Sequence, residues 1–283
     1  MRRLGVHTSI AGGFAASLER ARALGCTTMQ IFSHNPRGWA VKDIPEADKM
    51  QFRKLRRKYD ISPVFIHASY LINVASRNDV LRMKSISLLR TEMDRADALG
   101  ADFVILHPGS AAGDDEDLSR KRSIASLNQL AQTGRWKAGL LLENTAGERG
   151  DTASRISDLA DIVNGVQGRL ISGICFDTCH AFSAGYDVRG NIGIAVIGEE
   201  MKMRIGSERV KLVHLNDAKA DRGSGTDRHE HIGLGKIGLR GLRLLITSRQ
   251  FSDIPLILET PKKDEADDPR NLSTVRKMLR LKQ

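Results

Sequence analysis

Cysteine is scarce in this chain. Its 283 residues hold only Cys26, Cys175 and Cys179, an odd number without a C-x-x-C pair, so a disulfide framework is not supported and a reducing cytoplasm is expected. Long apolar runs are missing too. Arg2 and Arg3 are followed by no hydrophobic stretch, and nothing approaches the ~18 apolar residues of a membrane span. Neither secretion nor membrane insertion is expected. Aromatic residues make up 5% against 41% hydrophobic overall, so the core must be aliphatic, which suits close-packed parallel strands. Acidic residues fall short of basic ones, 34 against 44, leaving a formal charge of +10. That excess points to an anionic partner, nucleic acid ahead of membrane because no amphipathic basic helix stands out, although a generally basic surface would give the same count.

What is present is alternation. Short apolar runs near 4–8, 27–33, 63–68, 103–108, 139–144, 172–177, 210–215 and 254–259 read as strands. FVILH, GLLLE, VKLVHL and IPLILE are nearly continuous, as in strands buried on both faces. Between them the spacing is helical, as in Phe52, Leu55 and Tyr59, Ile156, Leu159 and Val163, Ile194, Ile197 and Met201, or Leu272, Val275 and Leu279. Asp43 followed by Pro45 and Glu46 marks a helix start, while Gly25 and Gly100 stand where helices end. Eight βα units without a linker predict one (β/α)8 TIM barrel over 1–283, with a doubly wound open sheet as the alternative. The segment DDEDLSRKR (114–122) reads as a solvated charge cluster.

Most of these strands end in a residue that can bind metal: His7, His67, His107, Glu143, Asp177, His214 and Glu259. In a parallel barrel all such ends open onto one face, where barrel enzymes keep their chemistry. One His or acid at a strand end is ordinarily a satisfied hydrogen-bonding residue, but so many converging on one mouth suit borderline divalent metals and a centre of two or more ions. In D-T-C-H, Asp177 and His180 lie three apart on the turn leaving the sixth strand. In D-R-H-E-H, Asp227, His229 and His231 alternate, which in extended backbone puts all three on one side. Two patterns invite misreading. Gly233, Gly235 and Gly238 spell G-x-G-x-x-G, but polar residues rather than a strand precede them, so a tight loop is expected instead of a dinucleotide site. Cys175 lies inside an apolar strand and Cys179 has no cysteine partner at ligand spacing, so both are assigned to packing.

The segments GVHTSIAGG (5–13), HASYLINVAS (67–76), HPG (107–109), LENTAG (142–147), FDTCHAFSAGYD (176–187), HLND (214–217), DRHEHIGLGKIG (227–238) and LETP (258–261) together resemble the endonuclease IV family of apurinic/apyrimidinic endonucleases, across essentially the whole chain. The resemblance implies a (β/α)8 barrel with three zinc ions at the strand C-termini. It implies that His67, His107 and Glu143 hold one ion, that Glu143 bridges to a second held by Asp177, His214 and Glu259, and that His180, Asp227 and His229 hold a third. Glu143, as the bridge, is the expected catalytic residue. His7 and His231 are not ligands in that pattern.

The implied activity is zinc-dependent hydrolysis of the DNA phosphodiester 5′ to an abasic site, leaving a 3′-hydroxyl and a 5′-deoxyribose phosphate, as in base excision repair. By the same resemblance Arg37, Tyr70 and Leu71 would enter the duplex at the lesion while the baseless nucleotide is flipped toward the metals. The partner is then double-stranded DNA containing abasic sites, not a membrane, and the chain is expected to act as a monomer in the cytoplasm. Departures from the pattern fall at Gly38 and in GERGDTASR (147–155). A metal-dependent sugar isomerase or epimerase of the related barrel group stays open as the alternative, as does a non-catalytic DNA-binding protein. The first has no need of a third metal site, and the second has no use for clustered ligands.

Overall fold

Runs such as VFIH, FVIL and GLLLE favour extended backbone because branched and aromatic side chains pack well on a pleated surface. In the computed structural model, which describes residues 2–280, they form eight strands: β1 (Leu4–Val6), β2 (Met29–Phe32), β3 (Val64–His67), β4 (Phe103–Leu106), β5 (Gly139–Glu143), β6 (Ile171–Asp177), β7 (Val210–His214) and β8 (Leu256–Leu258). Met1 and residues 281–283 of the expected 1–283 domain lie outside the described residues. All eight expected strands are present, most of them shorter by one or two residues at an end.

Every pairing is parallel, in the order β1-β8-β7-β6-β5-β4-β3-β2. A parallel bridge between His7 and Gln30, with Thr8 N–H donating to the Gln30 carbonyl at 2.7 Å, joins β1 to β2 and closes the ring. The order never reverses as a doubly wound sheet would. The fold is the (β/α)8 barrel. Its closure depends on Gly5, where a Cβ would stand 1.9 Å from the Thr28 carbonyl oxygen.

Helices follow the strands as α1 (Phe14–Ala23), α2 (Glu46–Lys58), α3 (Asp79–Leu99), α4 (Glu116–Thr133), α5 (Ile156–Gly165), α6 (Thr178–Ser183), α7 (Asn191–Arg204), α8 (Gly238–Thr247) and α9 (Asp267–Arg280). Pro45 precedes α2, and Gly25 and Gly100 both take φ of 66° after α1 and α3, as their positions suggested. The acidic stretch at 114–122 is not simply solvated. Asp115 caps α4 by accepting from Leu118 N–H at 2.8 Å, and Asp114 pairs with Arg122 at 2.6 Å. A helix start needs acceptors for its free N–H groups, and these acids supply one and complement the helix dipole. Among the described residues no helix is long and apolar enough to cross a membrane.

The aliphatic core lies between the outer strand faces and the helices. A second, smaller layer fills the barrel itself: Phe65, Ile105, Leu141, Cys175, Leu212 and Ile257, all fully buried. That layer is the floor of what lies above it.

Candidate metal centre

Side chains two apart on a strand share a face. Two residues beyond Phe65, Ile105, Leu141, Cys175, Leu212 and Ile257 stand His67, His107, Glu143, Asp177, His214 and Glu259, so one apolar layer is followed by one layer of potential ligands. Glu143 is fully buried at its centre. Its Oε2 lies 3.3 Å from His67 Nε2 and 3.1 Å from His107 Nε2, and its Oε1 lies 2.8 Å from His214 Nδ1. His214 Nδ1 is also 3.1 Å from Glu259 Oε2 and 4.0 Å from Asp177 Oδ2.

The third group comes from outside the strands. His180 is held on α6, which Asp177 caps by accepting from His180 N–H at 2.7 Å. Asp227 and His229 arrive on a return segment that pairs His229–Glu230 with Asp217–Ala218. Asp227 Oδ1 lies 3.2 Å from His180 Nε2 and 3.3 Å from His229 Nε2. The ligand-type atoms fall into groups that each span no more than 4.8 Å, the first two sharing Glu143: His67, His107 and Glu143; Glu143, Asp177, His214 and Glu259; His180, Asp227 and His229. All nine residues carried by the resemblance meet in this one place.

The donor chemistry fits divalent cations. His67, His180 and His229 each turn Nδ1 to a backbone carbonyl, of Ala68 at 2.8 Å, Asn144 at 2.9 Å and Glu259 at 3.0 Å. An N–H donated there leaves Nε2 as a lone-pair donor facing the centre. The Nε2 atoms of His180 and His229 are buried and make no hydrogen bond. Buried nitrogens without a hydrogen bond are costly, and a cation beside Asp227 would satisfy both. Burial alone would raise Glu143, but His214 and His107 hold its carboxyl well below the usual range. Burial likewise works against charge on His180, yet Asp177 and Asp227 carry its imidazole well above the ordinary value. The acids thus depend on protonated imidazoles for balance, a role divalent ions fill with the rings neutral.

His7 and His231 stand outside the groups. His7 lies 3.4 Å from Glu259 Oε1 and supports it, and burial draws its pKa down toward a neutral ring. His231 accepts from Asn271 at 3.1 Å, turned toward Asp267. Cys175 and Cys179 come within reach of ligand atoms, but burial pushes both thiols far up, which opposes the thiolate a metal needs and favours packing. The glycine-rich loop has an occupant from its own chain. The N–H groups of Gly233, Gly235 and Ile237, each at 3.0 Å, and of Gly238 at 3.2 Å, converge on the buried carboxylate of Asp217.

Three supporting residues were not legible beforehand. Gln30 on β2 presents Oε1 to His214 Nε2 at 2.7 Å and donates to Glu259 Oε1 at 2.6 Å. Asn144 brackets the Asp177 backbone, accepting at 2.8 Å and donating at 3.1 Å. Asn216 donates to Asp177 Oδ2 at 2.6 Å and accepts from Glu259 N–H at 2.8 Å. A lone polar residue in an apolar strand was the available signal for Gln30.

At the rim, Tyr70 is 66% exposed. Its ring lies 5.2 Å from that of Phe32 and 6.2 Å from that of His67. Leu71 is half-buried beside it, and Arg37 is exposed on the loop after β2. A cleft of about 570 Å³ runs from His7 and Glu259 past Phe32 and Tyr70 to His34 and Lys262. The departing segment 147–155 abuts the third group, where Glu148 Oε1 accepts from Asp227 N–H at 3.4 Å.

Residues 18–282 match the family described as Xylose isomerase-like TIM barrel. The chain is 41% identical over 276 residues to the probable endonuclease 4 of Methanoculleus marisnigri, covering 97% of this chain and 98% of that one. Endonuclease IV from Thermus thermophilus superposes with a TM-score of 0.86 at 37% identity, over 99% of both chains. A D-tagatose 3-epimerase-like protein superposes with a TM-score of 0.74 at 20% identity, over 99% of this chain and 97% of that one, a likeness of fold alone.

Proposed function

The chain belongs to the endonuclease IV family and is an endonuclease, and from that premise we propose that its centre cuts the backbone of double-stranded DNA at sites that have lost their base. The observation that carries this reading is the set of three donor groups at one barrel mouth, two of them joined by Glu143. We assign one zinc ion to each: His67, His107 and Glu143; Glu143 with Asp177, His214 and Glu259; and His180, Asp227 and His229. Isomerising or epimerising a sugar has no use for the third group. A phosphodiester, charged on its non-bridging oxygens and expelling an alkoxide, does.

Zinc at these groups supplies Lewis-acid charge and lowers the pKa of water toward about 7. The protein's own part is to keep the donors fixed. Nδ1 of His67, His180 and His229 is anchored on carbonyls, and Gln30 orients His214. Glu143 remains a carboxylate because imidazoles surround it. The attacking water oxygen joins phosphorus and the P–O3′ bond breaks 5′ to the lesion, leaving a 3′-hydroxyl and a 5′-deoxyribose phosphate. In this reading Tyr70, Leu71 and Arg37 fill the stack while the baseless sugar turns toward the centre, an extrusion made cheap by the missing base, and the exposure of Tyr70 and Arg37 supports it. The net charge of +10 suits the phosphate backbone. The chain 1–283 acts as one barrel domain and as a monomer, since one mouth carries the full ligand set.

The test is incision of a duplex bearing one tetrahydrofuran abasic analogue, with metal analysis of the same protein. Cleavage on the 5′ side with more than two metal equivalents per chain is expected. Metal near one equivalent would break the three-ion assignment, and intact duplex with fully loaded protein would overturn the function.

A further inference from the structure

Glu92 sits on α3, contributes no atom to any donor group, and is only 1% exposed. Among the described residues no lysine or arginine lies within ion-pair distance of it, and its one such partner is His34. A buried carboxylate is costly unless its oxygens are fully engaged, and those of Glu92 are engaged by two loops. Oε1 lies 2.9 Å from His34 Nε2 and accepts from Ser69 N–H at 3.3 Å, while Oε2 accepts from Ser33 Oγ. Ser33 and His34 begin the loop that carries Arg37. Ser69 begins the loop that carries Tyr70 and Leu71.

The two loops are also tied directly. Ser69 Oγ donates to the Pro36 carbonyl at 2.7 Å and accepts from Leu71 N–H at 3.2 Å. Arg95, three residues along α3 from Glu92, completes the arrangement by donating to Ser33 Oγ at 3.0 Å and to the Lys42 carbonyl at 2.7 Å. His34 lines the 570 Å³ cleft beside Tyr70. What Glu92 does is hold one loop against the other.

We infer that Glu92 is a positioning residue for lesion recognition, fixing the Arg37 loop and the Tyr70–Leu71 loop as one rigid unit through Ser33, His34 and Ser69. The inference rests on the abasic-site reading and adds to it the element that sets the spacing of the inserting side chains. Pre-organised contacts lower the ordering cost of binding, so the loss of Glu92 falls on substrate affinity and on opening of the stack, while the chemistry at the metals is untouched.

The experiment compares metal-loaded wild type, Glu92→Gln and Glu92→Ala on a tetrahydrofuran duplex with 2-aminopurine next to the lesion, at a temperature where all are folded. Ile197→Ala, which removes a buried side chain from α7 between α5 and α8, controls for lost stability. Both Glu92 variants are expected to raise the half-saturating enzyme concentration tenfold or more and to weaken the 2-aminopurine signal. Their plateau rate should stay within threefold and their metal content unchanged, with Glu92→Gln the milder and Ile197→Ala like wild type in affinity. Glu92 variants that match Ile197→Ala overturn the inference, and so does a fall in plateau rate accompanied by metal loss. Wild type that leaves the duplex uncut overturns the functional reading instead.

Discussion

Gln30 Oε1 lies 2.7 Å from His214 Nε2, and this one contact decides which nitrogen of His214 faces the acids. With Nε2–H donated to the amide oxygen, Nδ1 faces Glu143 at 2.8 Å and Glu259 at 3.1 Å, and it is the nitrogen that would offer its lone pair to a divalent ion held among these acids. Groups that orient a ligand imidazole typically contribute about 10–100-fold in metal affinity. Gln30→Ala is therefore expected to weaken metal retention by the group of Glu143, Asp177, His214 and Glu259 by that factor, read by competition with a chelator. Unchanged retention would mean the ring needs no such guide.

Glu143 belongs to two donor groups at once. Replacing it with Gln or Ala should lower incision by several orders of magnitude and cut metal content below that of wild type. A loss smaller than about tenfold, or ~1.4 kcal/mol of barrier, would show that it bridges nothing.

Asp217 answers a different question, because its carboxylate gathers four backbone N–H groups of the glycine-rich loop together with Ala218 N–H at 2.9 Å. Each buried donor left without a partner costs about 1–3 kcal/mol. Asp217→Ala is expected to lose at least about 3 kcal/mol in urea unfolding, and added dinucleotide should not restore it. A loss under about 1 kcal/mol would mean that water replaces the carboxylate.

Tyr70 lies at the rim with its ring beside His67 but contributes no atom to any donor group. Stacking of an aromatic ring against a base is worth about 1–3 kcal/mol. Tyr70→Ala should thus weaken binding to abasic duplex about tenfold, keep full metal content and leave the salt dependence of binding unchanged, because that slope counts phosphate contacts. Zinc lost with duplex affinity retained would instead make Tyr70 a support of His67.

The barrel and its ligand layer were legible in the sequence because both depend on short-range periodicity. Phe65 and His67, Leu141 and Glu143, or Leu212 and His214 share a face by the pleat alone, and parallel strands send all such ends to one side. Which ligands share an ion depends instead on the register between strands far apart in the chain, such as Asp177 opposite His214, and was available beforehand only through the resemblance. The residues that hold the ligands were hidden for the same reason. Gln30 reaches His214 across 184 positions, Asn216 joins Asp177 to Glu259, and Glu92 meets Ser33 across 59. The glycine-rich loop marks the boundary most clearly. Its sequence called for a tight turn, but the occupant of that turn is an aspartate from just beyond the end of β7, brought beside the loop by the pairing of Asp217–Ala218 with His229–Glu230, a tertiary contact that residue spacing did not reveal.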